Sequence, residues 1–186
     1  MFGERAAIAV LGPTRPDPQR VGRVVDAASS AGAQLARLGY ALVVMGDGHT
    51  ATAAARGARQ ADGPVLCVAP GLTGSQRVAH IDVPGVQVEA RASALSAIER
   101  VLEVAEAVIV LPGDLHALSV LTQIWAWGLE PDAPFRQIIL LGEGWPEMVR
   151  ALADAAHLDQ KTRAMVTFAR EPGEAVEALR YYVAPR

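Results

Sequence analysis

The chain has 186 residues, 51% of them hydrophobic, which suits one compact domain spanning 1–186 that buries its core without disulfides or a structural metal. A formal charge of -3 and an aromatic content of 5% supply neither the basic field nor the stacking platforms that nucleic acid requires. No apolar run approaches the roughly 18 residues of a membrane span, and Glu4 and Arg5 stand in front of the first apolar run instead of a signal-peptide core, so a cytoplasmic protein with no membrane partner is expected.

The first apolar run, Arg5 to Leu11, reads as a strand ended by GPTRPDP, whose Gly and Pro residues cannot continue it. From Gln19 to Leu38 the apolar positions Val21, Val24, Val25, Ala28, Leu35 and Leu38 recur at helical spacing, with Gly39 as the stop. Tyr40 to Met45 is a second strand, Thr50 to Ala61 an alanine-rich helix, and Val65 to Ala69 a third strand opened by Gly63 and Pro64. The segment Pro70 to Pro84 lacks periodicity and is long enough for a ligand-facing loop or lid. A short strand follows at Val86 to Val88. Leu95, Ile98, Val101, Leu102 and Ala105 then mark a helix leading into the strand Val108 to Leu111. The remainder reads as helix Ala117 to Trp127, strand Gln137 to Leu141, helix Trp145 to Ala156, strand Met165 to Ala169 and helix Glu174 to Tyr182. Strands alternating with helices predict a doubly wound, mostly parallel α/β sheet of Rossmann-like type, with helices on both faces.

Two strand-to-helix junctions share the pattern Gly-Asp-x-His. One is Gly46, Asp47, Gly48, His49, followed by Thr50; the other is Pro112, Gly113, Asp114, Leu115, His116. In an open parallel sheet such junctions stand at the carboxyl ends of the strands, where backbone N–H groups and a helix N-terminus hold anions. Three readings stay open. The Asp residues can cap turns with the His residues exposed; the loops can form a ligand site together with Gly12, Thr14 and Arg15; or Asp47, His49, Asp114 and His116 can meet as an acid/base set or as ligands of a divalent transition metal. Without such convergence no metal or cofactor is expected. Two carboxylates repel a dianion by about 1 kcal/mol per close pair even in a water-like dielectric, which favours a nucleoside or another weakly charged ligand over a nucleotide.

Cys67, the only cysteine, lies in the apolar run VLCVA and reads as a buried thiol. Lys161, the only lysine, lies in the polar segment DQKTR and reads as solvated. Trp125 and Trp127 point to different sides of one helix, so at least one belongs to the core or to a subunit interface. His80 and His157 have no partner pattern.

The stretches GDGHTATAAARGA (Gly46 to Ala58) and PGDLHALSV (Pro112 to Val120), flanked by ARQADGPVLCVAPG and by Gln137 to Trp145, resemble the Lonely Guy or "lysine decarboxylase-like" Rossmann superfamily, near its molybdenum cofactor carrier branch. That family carries GGGxGxMEAxxRGA after its second strand and PGGxGTxxE after its fourth, and the likeness covers most of residues 5 to 182. The resemblance implies a homodimer with a nucleotide or nucleoside site at the strand ends. It also implies a degenerate centre. Val120 stands at the position of the motif Glu, and glycosidic cleavage needs an anionic or proton-transferring group there. Asp114 and His116 replace motif glycines, Ala117 the Thr, Asp47 and His49 further glycines, and Ala51 and Thr52 the Met and Glu. Arg91 or Arg100 corresponds to the family's upstream Arg, and Arg56 and Gly57 to its RGA. Phosphoribohydrolase activity is therefore not expected, nor lysine decarboxylation, since no cofactor-lysine motif is present. Chemistry rebuilt on Asp114 and His116, hydrolysing an N-glycosidic bond, is the enzymatic alternative. A structural or regulatory homodimer without a ligand is the third.

Overall fold

The computed structural model describes residues 2–15, 17–71, 81–130 and 136–185. Seven strands form one sheet: β1 (Ala7–Leu11), β2 (Ala41–Met45), β3 (Val65–Pro70), β4 (Gln87–Arg91), β5 (Ala107–Val110), β6 (Gln137–Leu141) and β7 (Val166–Ala169). Every pairing is parallel and the order is β4-β3-β2-β1-β5-β6-β7. The helices are α1 (Val21–Arg37), α2 (His49–Gln60), α3 (Ala94–Val104), α4 (Leu115–Trp127), α5 (Trp145–Ala155), α6 (Gln160–Arg163) and α7 (Pro172–Arg180). The doubly wound Rossmann-like sheet expected from the alternation of elements is what the chain forms.

The central strands are apolar along their whole length because both faces are covered. Ile8 and Val10, Leu42 and Val44, and Ile139 and Leu141 point into a core shared with α1, α2 and α7. Ala7, Ala9 and Leu11, Val43, and Ile138 and Leu140 point into a second core under α3, α4 and α5. Between α1 and α2 the backbones touch. A Cβ on Gly32 would lie 2.1 Å from the Ala54 carbonyl oxygen, and one on Gly57 would lie 2.0 Å from that of Ser29. This approach makes Gly57 a helix-packing residue, while Arg56 beside it is exposed.

Three elements differ from the sequence expectation. The short strand at Val86 to Val88 is β4, shifted to Gln87–Arg91, where its exposed, mixed side chains mark an edge strand. The single turn α6 had no periodicity to reveal it, and is capped by Asp159, which accepts the Thr162 N–H at 2.7 Å. That bond is the first cause holding the Asp159 carboxyl below its ordinary range. Of the expected lid, 72–80 lies outside the described residues, as does His80. The described end, from Ile81, docks on the α2 face, with Ile81 and Val83 in the first core and Arg59 Nε donating to the Pro84 carbonyl at 3.3 Å.

Cys67 is buried, and its Sγ donates to the Gly46 carbonyl at 3.4 Å. Burial pushes its thiol pKa up, with the Asp47 charge adding to the rise and a backbone bond to Ile81 opposing it. Lys161 and His157 are exposed. No helix among the described residues is long and apolar enough to cross a membrane.

Candidate functional site

Successive strands run outward from β1 to β4 on one side, and β5 starts again on the other side of β1. The gap between β1 and β5 is therefore the topological switch point, where an open α/β sheet leaves a crevice at its carboxyl edge. The loop after β1 is the hub. Its Pro13 ring packs against Gly113, where a Cβ would lie 2.3 Å from Pro13 Cγ, and Gly48 lies so close that a Cβ there would be 2.7 Å from Thr14 Cα. The Gly-Asp-x-His loops after β2 and β5 thus flank Gly12 to Arg15 from both sides.

Between them lies a slot lined by Gly12, Pro13, Thr14, Met45, Gly48, Ala51, His116 and Val120, with a volume of about 10 Å³. That is room for about one water molecule. His116, exposed and without a hydrogen-bond partner among the described residues, forms part of the wall. Val120, 2% exposed, also lines the slot and presents only methyl groups to it.

The other expected site residues divide by what holds them. Thr50, 2% exposed, donates its hydroxyl to the Pro13 carbonyl at 2.8 Å, so it locks the β1 loop instead of offering the group to a ligand. His49 is the first residue of α2; its backbone N–H donates to the Thr14 carbonyl at 3.2 Å, and its Nδ1 lies 3.3 Å from the same oxygen. Gly46 takes φ +73° to turn the chain out of β2. Asp47 is exposed and caps nothing, since Gly48 is the α2 N-cap. Asp114 is the N-cap of α4: Oδ1 accepts the Ala117 N–H at 3.0 Å, and Oδ2 lies 3.4 Å from the Arg15 N–H. Pro112 faces the loop after β6, where Gly142 leaves it space.

Arg91 is not brought to the slot. It ends β4, separated from β1 by β3 and β2, and pairs with Glu89, which also accepts Arg100 Nε at 3.0 Å. Arg100 is likewise absorbed, its NH1 reaching Glu103 at 3.0 Å. Among the described residues no group of three His, Cys, Asp or Glu side chains is placed to hold a metal ion, so Asp47, His49, Asp114 and His116 do not meet around one point. Pro13 is the residue the sequence reading passed over. Its position straight after the strand-ending Gly12 was the available signal, since a ring there stiffens the loop that the other two pack on.

A seven-stranded parallel sheet with its crevice at the β1/β5 switch point defines the chain as a Rossmann-like α/β protein. No protein-family model matches it, and no curated protein sequence does. Solved structures do. The molybdenum cofactor carrier protein of Chlamydomonas reinhardtii superposes with a TM-score of 0.66 at 17% identity, over 96% of this chain and 98% of that one. The molybdenum cofactor binding protein of the phototrophic bacterium Rippkaea orientalis gives 0.69 at 18% identity over 96% and 98%. DNA processing protein A of Helicobacter pylori, described for its single-stranded DNA binding, gives 0.55 at 14% identity over 96% and 82%. At such identities the likeness establishes the fold, and one fold carries unrelated ligands.

Proposed function

We propose that this protein holds a small molecule, a nucleoside, nucleotide or related heterocycle, at the mouth between the loops after β1, β2 and β5, and does not cleave it. The observation that carries this reading is Val120 on the floor of the slot, where a glycosidic bond would need a carboxylate. The two structural neighbours named for the molybdenum cofactor support it, because they span nearly the same length and are named for carrying or binding a small molecule. The Asp114 carboxylate at the start of α4 disfavours a phosphate there, so the weakly charged members of the class are preferred. At about 10 Å³ the slot must open to admit a ligand, and the exposed His116 ring is the wall free to turn out.

The test is calorimetry with adenosine, AMP and molybdenum cofactor, together with an assay for base release from AMP. Saturable binding without base release, strengthened several-fold by His116→Ala, is expected. Base release that disappears in Asp114→Ala would establish the hydrolase with rebuilt Asp and His chemistry instead.

A second reading has its own observation. The narrow slot and the outer face of α4, which has no Asp, Glu, Lys or Arg over 13 residues, suit a structural or regulatory subunit that pairs with a second copy of itself. A silent ligand panel would favour it.

A further inference from the structure

At the end of α2 remote from the slot, Arg56, Arg59 and Gln60 face Asp82 and Pro84 across an open concavity of about 300 Å³. That volume lies at the lower end of ordinary ligand sites. The two places share no lining residue, and their nearest members on α2, Ala51 and Arg56, stand about 7.5 Å apart along the helix axis, so nothing here depends on the function proposed above.

The arginines differ in role. Arg59 is fixed, its Nε donating to the Pro84 carbonyl at 3.3 Å and its NH1 to the Gly63 carbonyl at 2.8 Å. Gly85, at φ +77°, leaves it room, since a Cβ there would lie 2.7 Å from NH2. Both acceptors are neutral, so the guanidinium keeps its whole charge. Arg56, one turn earlier and exposed, has no partner among the described residues. Two like charges three residues apart repel on a helix surface, and an anion between them relieves that repulsion. Asp82, exposed on the opposite wall, pairs with neither arginine. A bare anion would meet its charge, whereas a molecule with an ammonium a few bonds from its anionic group satisfies both walls.

We propose that this concavity is a binding site for a small zwitterion, with the anionic group on Arg56 and Arg59 and the ammonium on Asp82.

The test titrates the full chain with phosphoethanolamine, inorganic phosphate and ethanolamine, following amide shifts by NMR. Phosphoethanolamine is expected to saturate at the Arg56, Arg59 and Asp82 amides, about tenfold more tightly than phosphate, with ethanolamine silent. Arg56→Gln is expected to weaken it about tenfold. Asp82→Asn should bring phosphoethanolamine down to the level of phosphate. Both positions are exposed, so an unchanged thermal midpoint for each variant shows that the fold is intact. Binding unaffected by Arg56→Gln, equal affinity for phosphate and phosphoethanolamine in the parent, or no saturable shift at these amides would each overturn the proposal.

Discussion

The Asp114 carboxylate takes the Ala117 N–H at 3.0 Å and stands beside the Arg15 N–H, two donors that in a bare glycine loop would be left for a ligand. A side chain so placed is first a cap. Asp114→Ala is expected to lower stability by about 1 kcal/mol, read from urea denaturation; an unchanged midpoint would mean that the cap contributes nothing. Cys67 responds to pH in the opposite sense to a capped acid. Burial raises its pKa, so as pH climbs past the ordinary thiol range the unfolded chain ionises while the folded chain keeps its proton. Its contribution is whole below that range and shrinks as pH rises through it. The expected signature is a thiol that reacts with a disulfide reagent only on unfolding, and rapid stoichiometric labelling of the folded protein at neutral pH would contradict it.

Helices α1 and α2 meet where neither has a side chain, and that contact belongs to the element as a whole. Gly57→Ala would place a methyl 2.0 Å from the Ser29 carbonyl, which only a shift of one helix relieves. A loss of about 2 kcal/mol is expected by thermal or chemical unfolding, and a neutral effect would show the helix pair to be loosely held. The elements themselves were legible wherever burial is two-sided, as in AIAVL of β1 or QIILL of β6, because no polar position interrupts the run. Legibility was partial at QVEAR of β4, whose edge position leaves side chains in water so that only its start was read, and failed at the four residues of α6. The two Gly-Asp-x-His strings were visible, but their meanings were not. In the first, α2 begins at His49 and leaves Asp47 outside; in the second, α4 begins at Leu115 and makes Asp114 the cap. An offset of one residue in helix start, set by Gly48 packing on Thr14, separates an exposed acid from a helix cap, and no local pattern encodes it.

At the scale of the whole molecule, the large exposed apolar side chains fall in two sets: Leu95 on α3, Leu115 and Trp127 on α4, Leu129 just after it and Met148 on α5, and elsewhere Leu38, Val88, Phe168, Tyr181 and Tyr182. Of the tryptophans on α4, Trp125 is buried, its Nε1 donating to the Thr162 carbonyl at 2.9 Å, while Trp127 is half in water. That division was legible in the spacing, since two residues apart on a helix point to different sides, but not which ring turned outward. A chain of net charge -3 meets its own like-charged copy with least repulsion across a face that carries no charge, and α4 supplies that face from Leu115 to Trp127. A pair related by a two-fold axis there would bring Ala126, exposed in the single chain, close to the same helix of the other copy. Ala126→Arg is then expected to shift the protein from dimer to monomer in sedimentation velocity, because it introduces two like charges into a contact with nothing to pair them. Since the side chain is exposed, the thermal midpoint should fall by no more than the loss of the interface explains. A parent protein that sediments as a monomer at tens of micromolar would remove α4 as a self-association face.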